Sequence, residues 1–504
     1  MAKVAIIGAG SIVFCKTLIL DILAAPGLEA TEFALMSPST ARTSQVEDFA
    51  KRVIKANGLP AKVWVTTDRR EALRGADYVI ATFQVAGVKG FEVDINIPLK
   101  HGVDQCIGDT LGPGGIFRTL RSSPVVVDMI KDMEELCPNA YLLNYVNPMA
   151  MICWTIGKTS RKIQFVGLCH GVQTTMDLIS GYVGVPKDQI DFLAAGINHM
   201  AWFLKLEHEG KDLYPALREK FELPEFYANE KVRGEVFRHF GYFMTESTGH
   251  LSEYVPYFRK NQKALDLYCD EPSFGGETGA YYAWCKHVAE KFENQEILKD
   301  EPTAIPHRSI EYGSYVIEAL ETGRTFKLNG NVINDGMITN FPDDCCAEYP
   351  LYVDRTGIHK TFVGDLPSQC AALNLSNITV QRLAVEAGIK FFTTPEYRDV
   401  MLLVPKFFSD IDVFLLSMVL YIFAVGLYEL FIGKLNVPEW LRIETVDELK
   451  AKLASVVILF VAIAYVKLLV EWRNPVETLL FGAATGILIA VLIQYYKAKE
   501  GHGE

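Results

Sequence analysis

Residues 3–14 read KVAIIGAGSIVF. Val4 to Ile7 is a short apolar run of the kind that forms a strand buried on both faces, and it breaks at Gly8-Ala9-Gly10-Ser11. The next stretch, KTLILDILAA, has helical spacing. Glycines between a strand and a helix let the backbone turn tightly and approach a pyrophosphate, whose charge is held by the free N–H groups of the helix start. This predicts a dinucleotide-binding turn built from Gly8, Gly10 and Ser11. The third glycine of the usual fingerprint is replaced by Val13, and the second strand, TEFALM, ends at Ser37 where an acidic residue would bind the ribose 2′-hydroxyl. Ser37 leaves NAD over NADP open, with Arg42 near enough in sequence to face a 2′-phosphate. A helical DRREALRG and a third strand, GADYVIATF, complete a βαβαβ pattern within the first 150 residues. The fold class expected is α/β, with a Rossmann-like doubly wound sheet.

Composition narrows the partners. The chain has 504 residues, 50% of them hydrophobic, which is enough for two or more domains. A net charge of −12 and the lack of any dense basic block exclude nucleic acid as a partner. Ten cysteines at irregular spacings, without a CxxC pair or a signal peptide, read as reduced thiols of a cytoplasmic protein.

Two further stretches carry chemistry: GLCHGVQ at 167–173 and GINHMAW at 196–202. Cys169 and His199 fit three arrangements: a proton-carrying His in a dehydrogenase, a Cys nucleophile, or a thiolate and imidazole holding a divalent ion. Either residue is also at home in an ordinary core. Spacing alone does not choose among these.

The chain resembles glycoside hydrolase family 4, the NAD- and metal-dependent glycosidases, and within it the α-galactosidase and α-glucosidase branch. The matching stretches run in order over about residues 1 to 390: GAGSIVF, TTDRREALRGADYVI, GDTLGPGGIFRTLRSSP, NYVNPMA, GLCHGVQ, GINHMAW, TESTGHLSEYVPYFRK and VGDLPSQCAALN. The resemblance implies a Rossmann-like domain (1–195) joined to a lactate/malate dehydrogenase-like α+β substrate domain (196–390). It implies that Cys169 and His199 ligate a catalytic cation, Mn²⁺, which leaves positions open for sugar hydroxyls.

The reaction it implies is oxidation at C3 by NAD⁺, removal of the C2 proton, elimination of the aglycone, addition of water and return of the hydride. Such a route is an exception to the paired-carboxylate hydrolysis of most glycosidases. Tyr242 is the expected base and Asp109 the expected acid. His170 stands where the phosphoglycosidase branch has an Asp, which counts against a 6-phosphosugar and makes His170 a third catalytic candidate. Asn147 and Asn198 are expected sugar or nicotinamide contacts. If no elimination occurs, Asp109, Glu246 and Glu253 are the carboxylates left for ordinary hydrolysis. The partners expected are a small glycoside and further copies of the same chain. Two alternatives stay open: an NAD-dependent 2-hydroxyacid dehydrogenase, and an inactive, membrane-tethered dinucleotide-binding module.

The last hundred residues differ. Stretches 411–432, 453–470 and 478–496 are each long and apolar enough to read as transmembrane helices. This tail (391–504) resembles an uncharacterised family of small prokaryotic inner-membrane proteins with about four spans. Three spans would put Lys434, Arg442, Lys450, Lys452, Lys497 and Lys499 on the side opposite a cytoplasmic enzyme, against the positive-inside tendency. The expectation is a fusion joined near residue 390, its membrane domain lacking the first helix, that anchors a cytoplasmic enzyme to the cell membrane.

Overall fold

The computed structural model describes residues 1–293, 298–393, 421–435, 437–438, 441–471 and 475–500. The chain divides into two compact units, Met1–Ile389 and Lys390–Glu504.

In the first unit six parallel strands form the sheet that the opening residues predict. They are β1 (Lys3–Ile7), β2 (Glu32–Met36), β3 (Lys62–Thr66), β4 (Tyr78–Ala81), β5 (Tyr141–Asn144) and β6 (Gln164–Gly167), in the order β3-β2-β1-β4-β5-β6. This is the doubly wound nucleotide-binding order, whose ligand crevice opens beyond the carboxyl ends of β1 and β4, where the winding reverses. Alternation along the strands feeds two cores. Val4 and Ile6 join Phe33, Leu35 and the helical Leu18 and Ile22 on one face, while Ala5 and Ile7 join Val79, Leu142, Met129 and Ile130 on the other. A strand with helices on both sides must be apolar at every position, which is why β1 shows no polar alternation.

The sheet does not stop at β6. It continues through β7 (Asp191–Ile197), β8 (Met200–His208), β9 (Lys211–Asp212), β10 (Phe243–Met244), β11 (Phe326–Ile333), β12 (Cys346–Asp354) and β13 (Gly357–Lys360), with the order β6-β11-β12-β7-β8-β10. The junction is antiparallel, Asn331 of β11 opposite Gly167 of β6. Residue 195 lies inside β7, so the antiparallel half joins the nucleotide half without a linker. A third, aromatic-rich core holds Phe203, Tyr214, Phe221, Phe237 and Phe243.

The second unit contains the helices Val446–Glu471 and Pro475–Glu500. They pack against each other with Tyr465 seated over Gly482, where a Cβ would lie 2.7 Å from the ring. Among the described residues no helix is long and apolar enough to cross a membrane. The expected span 411–432 begins outside the described residues, and many side chains of 453–470 and 478–496 also lie outside them.

Candidate active site

The crevice end of the sheet is built by the turn after β1. Gly8 has φ +102°, and a Cβ there would lie 2.7 Å from the backbone of Thr82 and Phe83 at the end of β4. Only glycine allows the two strand ends to come this close. Gly8 and Ala9 both donate their N–H to the Met36 carbonyl, and Ser11 begins the helix Ile12–Leu23. Ser37, directly after β2, has its Oγ 3.0 Å from where a Gly10 Cβ would sit, so it flanks the turn. A cradle that backbone fills and side chains avoid, at the switch point of a doubly wound sheet, suits a dinucleotide pyrophosphate.

Cys169 follows β6 at the same edge. Its backbone is clamped by Tyr312, whose hydroxyl accepts from Cys169 N and donates to Cys169 O. His199 sits in the two-residue turn between β7 and β8 with φ +61°, and Glu246 follows β10 with φ +75°. Three loops thus deliver three donors to one point. Cys169 Sγ is 3.3 Å from His199 Nε2 and 3.8 Å from Glu246 Oε1, and His199 Nε2 is 3.6 Å from the same oxygen. All three ligand atoms lie within 4.8 Å of one another.

Electrostatics explain what such a cluster is for. Burial, then the charges of Glu246 and Glu348, push the Cys169 thiol well above its usual range. Burial lowers His199 to about 4, so its imidazole is neutral. Its Nδ1 is buried without a hydrogen-bond partner. Asn198 lies close enough to Cys169 and Glu348 to oppose their shifts, yet neither atom of its amide makes a well-formed hydrogen bond. Lone pairs on sulfur, nitrogen and oxygen converge here, and a divalent ion fits that donor set. Glu246 adds a hard oxygen to the two softer ligands, which brings the set closer to what Mn²⁺ accepts.

Around the cluster, His250 Nδ1 lies 3.7 Å from Glu246 Oε2 and its ring 4.7 Å from that of His199. His170 Nδ1 pairs with Glu311 Oε1 at 3.2 Å, and this contact raises the imidazole's pKa against the effect of burial. Asp109 is buried; it accepts from Thr110 Oγ1 at 2.8 Å and from Asn147 Nδ2 at 3.1 Å, with Arg118 Nη1 at 3.7 Å. The Asn147–Pro148 bond is cis. Tyr254 is buried with its ring centroid 6.1 Å from that of His199. Burial raises its phenol well above 10, opposed by Thr110, and Asp109 and Glu246 add to the rise.

Tyr242 stands elsewhere. β10 pairs Phe243 with Phe203 and Met244 with Trp202, so Tyr242 lies level with Leu204. That is roughly 13 Å up β8 from Met200 at the ordinary strand rise of about 3.3 Å per residue. Its ring packs edge-on to Tyr214 at 6.0 Å. Sequence reasoning did not place Glu246 beside Cys169 and His199, and did not name Tyr254 or His250. TESTGHLSEY was legible as a motif, but nothing in it marked which side chains turn toward Cys169.

Fold and cluster together are those of an α/β enzyme of dinucleotide-binding type with a site for a divalent cation. Residues 3–185 match the model of the family 4 glycosyl hydrolases, and residues 194–393 that of the family's C-terminal domain. The chain belongs to family 4 of the glycosyl hydrolases and is a glycosidase, which sets aside the 2-hydroxyacid dehydrogenase alternative. It is 42% identical over 395 residues to an α-galactosidase of Rhizobium meliloti (77% of this chain, 80% of that one). It is 38% identical to an α-galactosidase of Bacillus subtilis (80% and 93%). The fold is also that of a Thermotoga maritima 6-phospho-β-glucosidase solved with manganese, NAD⁺ and glucose-6-phosphate, with TM-score 0.63, 22% identity and coverage of 77% and 89%. Residues 370–469 match the model of an uncharacterised protein family, UPF0114. The helix Ser368–Thr393 lies wholly within the C-terminal-domain match and, from residue 370 on, within the other as well.

Proposed function

We propose that this glycosidase cleaves α-glycosides, α-galactosides first, with NAD⁺ and Mn²⁺. The observation that carries the reading is the convergence of Cys169 Sγ, His199 Nε2 and Glu246 Oε1 at the carboxyl edge of a dinucleotide-type sheet. The α-galactosidase relatives support the substrate class. Bound at these residues, NAD⁺ would supply a hydride acceptor for C3 of the sugar, and the cation a Lewis acid for the C3 carbonyl oxygen, the carbonyl that makes the C2 proton acidic.

The chain's own residues do the rest. Gly8, Gly10 and Ser11 form the turn for the pyrophosphate, with Ser37 beside it. Cys169, His199 and Glu246 hold the cation. Tyr254, against His199 and facing Thr110, takes the C2 proton as a phenolate, the form that the charge of a bound cation would favour against burial, a role its position suits better than that of Tyr242. Asp109 carries the proton for the departing oxygen, its Oδ2 oriented by Asn147. His170, fixed by Glu311, and Asn198 border the sugar's side of the cluster. A charge-linked chain runs from Tyr254 through Thr110 to Asp109, so base and acid are positioned by one hydroxyl.

The test is hydrolysis of an aryl α-galactoside by the purified chain after chelation. Activity should return only with NAD⁺, Mn²⁺ and a thiol reductant together; full activity after chelation, or without NAD⁺, overturns the reading.

For the second unit, we propose residence in a bilayer, with the glycosidase on the cytoplasmic side. Support comes from the family match and from side chains left exposed in that unit, among them Phe431 (75%), Ile432 (73%), Leu479 (71%) and Ile487 (66%), an arrangement that costs free energy in water. Membranes washed with alkaline carbonate should retain the full chain. Release into the supernatant removes the proposal. Self-association is proposed with it and is read by light scattering of the detergent-solubilised chain.

A further inference from the structure

The ribose end of the dinucleotide site is built where β2 stops. Met36 pairs with Ile7 of β1 on one side and with Thr66 of β3 on the other, and its carbonyl takes the N–H groups of Gly8 and Ala9. Ser37 therefore leaves the sheet level with the glycine turn, its own N–H on the Thr66 carbonyl at 3.4 Å. A dinucleotide whose pyrophosphate lies on that turn brings its adenosine ribose to this strand end. In sites that select NAD, a carboxylate here holds the ribose 2′-hydroxyl, and its charge repels a 2′-phosphate. No carboxylate follows β2 in this chain: residues 37–46 read SPSTARTSQV. Two acids beyond the end of β3 are engaged locally, Glu71 accepting from Thr66 Oγ1 at 2.5 Å and Asp68 from Arg70 N at 2.8 Å.

What stands there instead suits an anion. The helix Thr40–Ala56 opens four residues after Met36; its N-cap, Ser39, makes no side-chain hydrogen bond to the helix, and its first turn holds no acid. Ser39, Thr40 and Arg42 are exposed. The segment after β2 thus offers hydroxyls, the N–H groups of a helix start and a guanidinium, all donors, in place of one acceptor. We infer that this site admits a 2′-phosphate on the cofactor ribose, with Ser37, Ser39 and Arg42 as its partners, so that NADP⁺ serves beside NAD⁺. The inference rests on the dinucleotide-dependent reading of the site and goes beyond it by naming the phosphorylated cofactor and the residues that accept it. A phosphate brings three strong acceptor oxygens and close to two negative charges, and Arg42 and the hydroxyls supply charge-assisted and neutral hydrogen bonds to them. Chemistry at the nicotinamide is the same for both cofactors, because the extra phosphate is carried at the opposite end of the molecule.

The experiment is direct binding of NADH and of NADPH to the detergent-solubilised full chain, read as energy transfer from tryptophan to the dihydronicotinamide, with no glycoside present. NADPH should bind with a Kd no more than about threefold above that of NADH. A larger preference for NADH overturns the proposal. Arg42→Ala should raise the Kd of NADPH about tenfold and that of NADH by less than about twofold, the size expected for one charge-assisted contact to phosphate. Ser37→Asp, which sets a carboxylate against the phosphate, should weaken NADPH about tenfold or more while NADH still binds. Retained NADH binding also shows that this variant is folded, and Arg42→Ala, a change on an exposed helix turn, tests the proposal independently of it. Equal losses for the two dinucleotides, or no loss for NADPH, overturn the proposal. A wild-type chain that binds neither dinucleotide fails the dinucleotide-dependent reading itself, an outcome visible before any variant is compared.

Discussion

Gly171 and Glu246 compete for one volume: a Cβ on Gly171 would lie 1.8 Å from Glu246 Oε1. Gly171 opens the helix Gly171–Val183 two residues after Cys169, so the carboxylate reaches the thiol only because residue 171 lacks a side chain. The glycine of GLCHGVQ is thereby tied to the third donor, which lies 75 residues further along the sequence.

Gly171→Ala should therefore weaken Mn²⁺ without unfolding the chain, because the far end of a Glu side chain can swing away from the new methyl. An affinity loss of about tenfold or more is expected, as for other disturbances close to a metal. Titration followed by Mn²⁺ electron paramagnetic resonance measures it, with Glu246→Gln as the comparison. Unchanged affinity in both variants would remove Glu246 from the ligand set.

Metal affinity should rise with pH. The Cys169 thiol is raised well above its usual range in the metal-free site, so binding as thiolate must release its proton. His199, lowered to about 4, is already neutral and releases none above pH 5. The apparent binding constant should therefore climb about tenfold per pH unit between pH 6 and 8, one proton per ion. Calorimetry in buffers of different ionisation enthalpy counts that proton directly. A count of zero, or two, contradicts the assignment.

Hydrolysis in D₂O should leave deuterium at C2 of the released sugar, since a proton taken by a phenolate exchanges before it returns. Tyr254→Phe should cut turnover and incorporation together by about 10² or more, because a phenyl ring accepts no proton. Tyr242→Phe should leave both nearly intact. The reverse pattern would move the base to Tyr242, and cleavage without deuterium at C2 would rule out elimination altogether. Asp109→Asn should slow poor leaving groups more than activated aryl ones.

Glu348 is buried, opposite Gly196 across the β12–β7 bridge, with Oε1 lacking a partner. Burial, then the charge of Glu246, raises its carboxyl to about 8. A raised acid contributes its full stability below the unfolded value near 4.5 and loses it as pH climbs to about 8. Glu348→Gln has no such loss, so the variant should gain on the wild type by on the order of 4 kcal/mol between pH 5 and 8.5. Urea midpoints of the metal-free proteins at the two pH values decide it. A constant difference would mean that Glu348 does not titrate in that window.

By itself the sequence determined the parallel sheet and singled out Cys169 and His199, whose reading as metal ligands came from the family resemblance. Strand and helix periodicity is local, so KVAIIGAGSIVF specifies a strand, a glycine turn and a helix wherever it folds, and the right-handed crossover of βαβ units leaves few ways to order the later strands. Cys169 and His199 were legible as candidates because thiol and imidazole are common metal ligands and both stand in distinctive stretches. The apolar tail was legible from composition alone. Tertiary structure decided what depends on contact between distant segments. β11 and β12, which come late in the chain, insert between β6 and β7, and that order brings the ends of β6, the β7–β8 turn and the end of β10 to one edge. Glu246 comes within reach of Cys169 and His199 there, and Tyr254 rather than Tyr242 comes to face His199. No local pattern encodes these choices, because each is set by which strand edge the antiparallel half finds free and by how burial directs the side chains once it has docked.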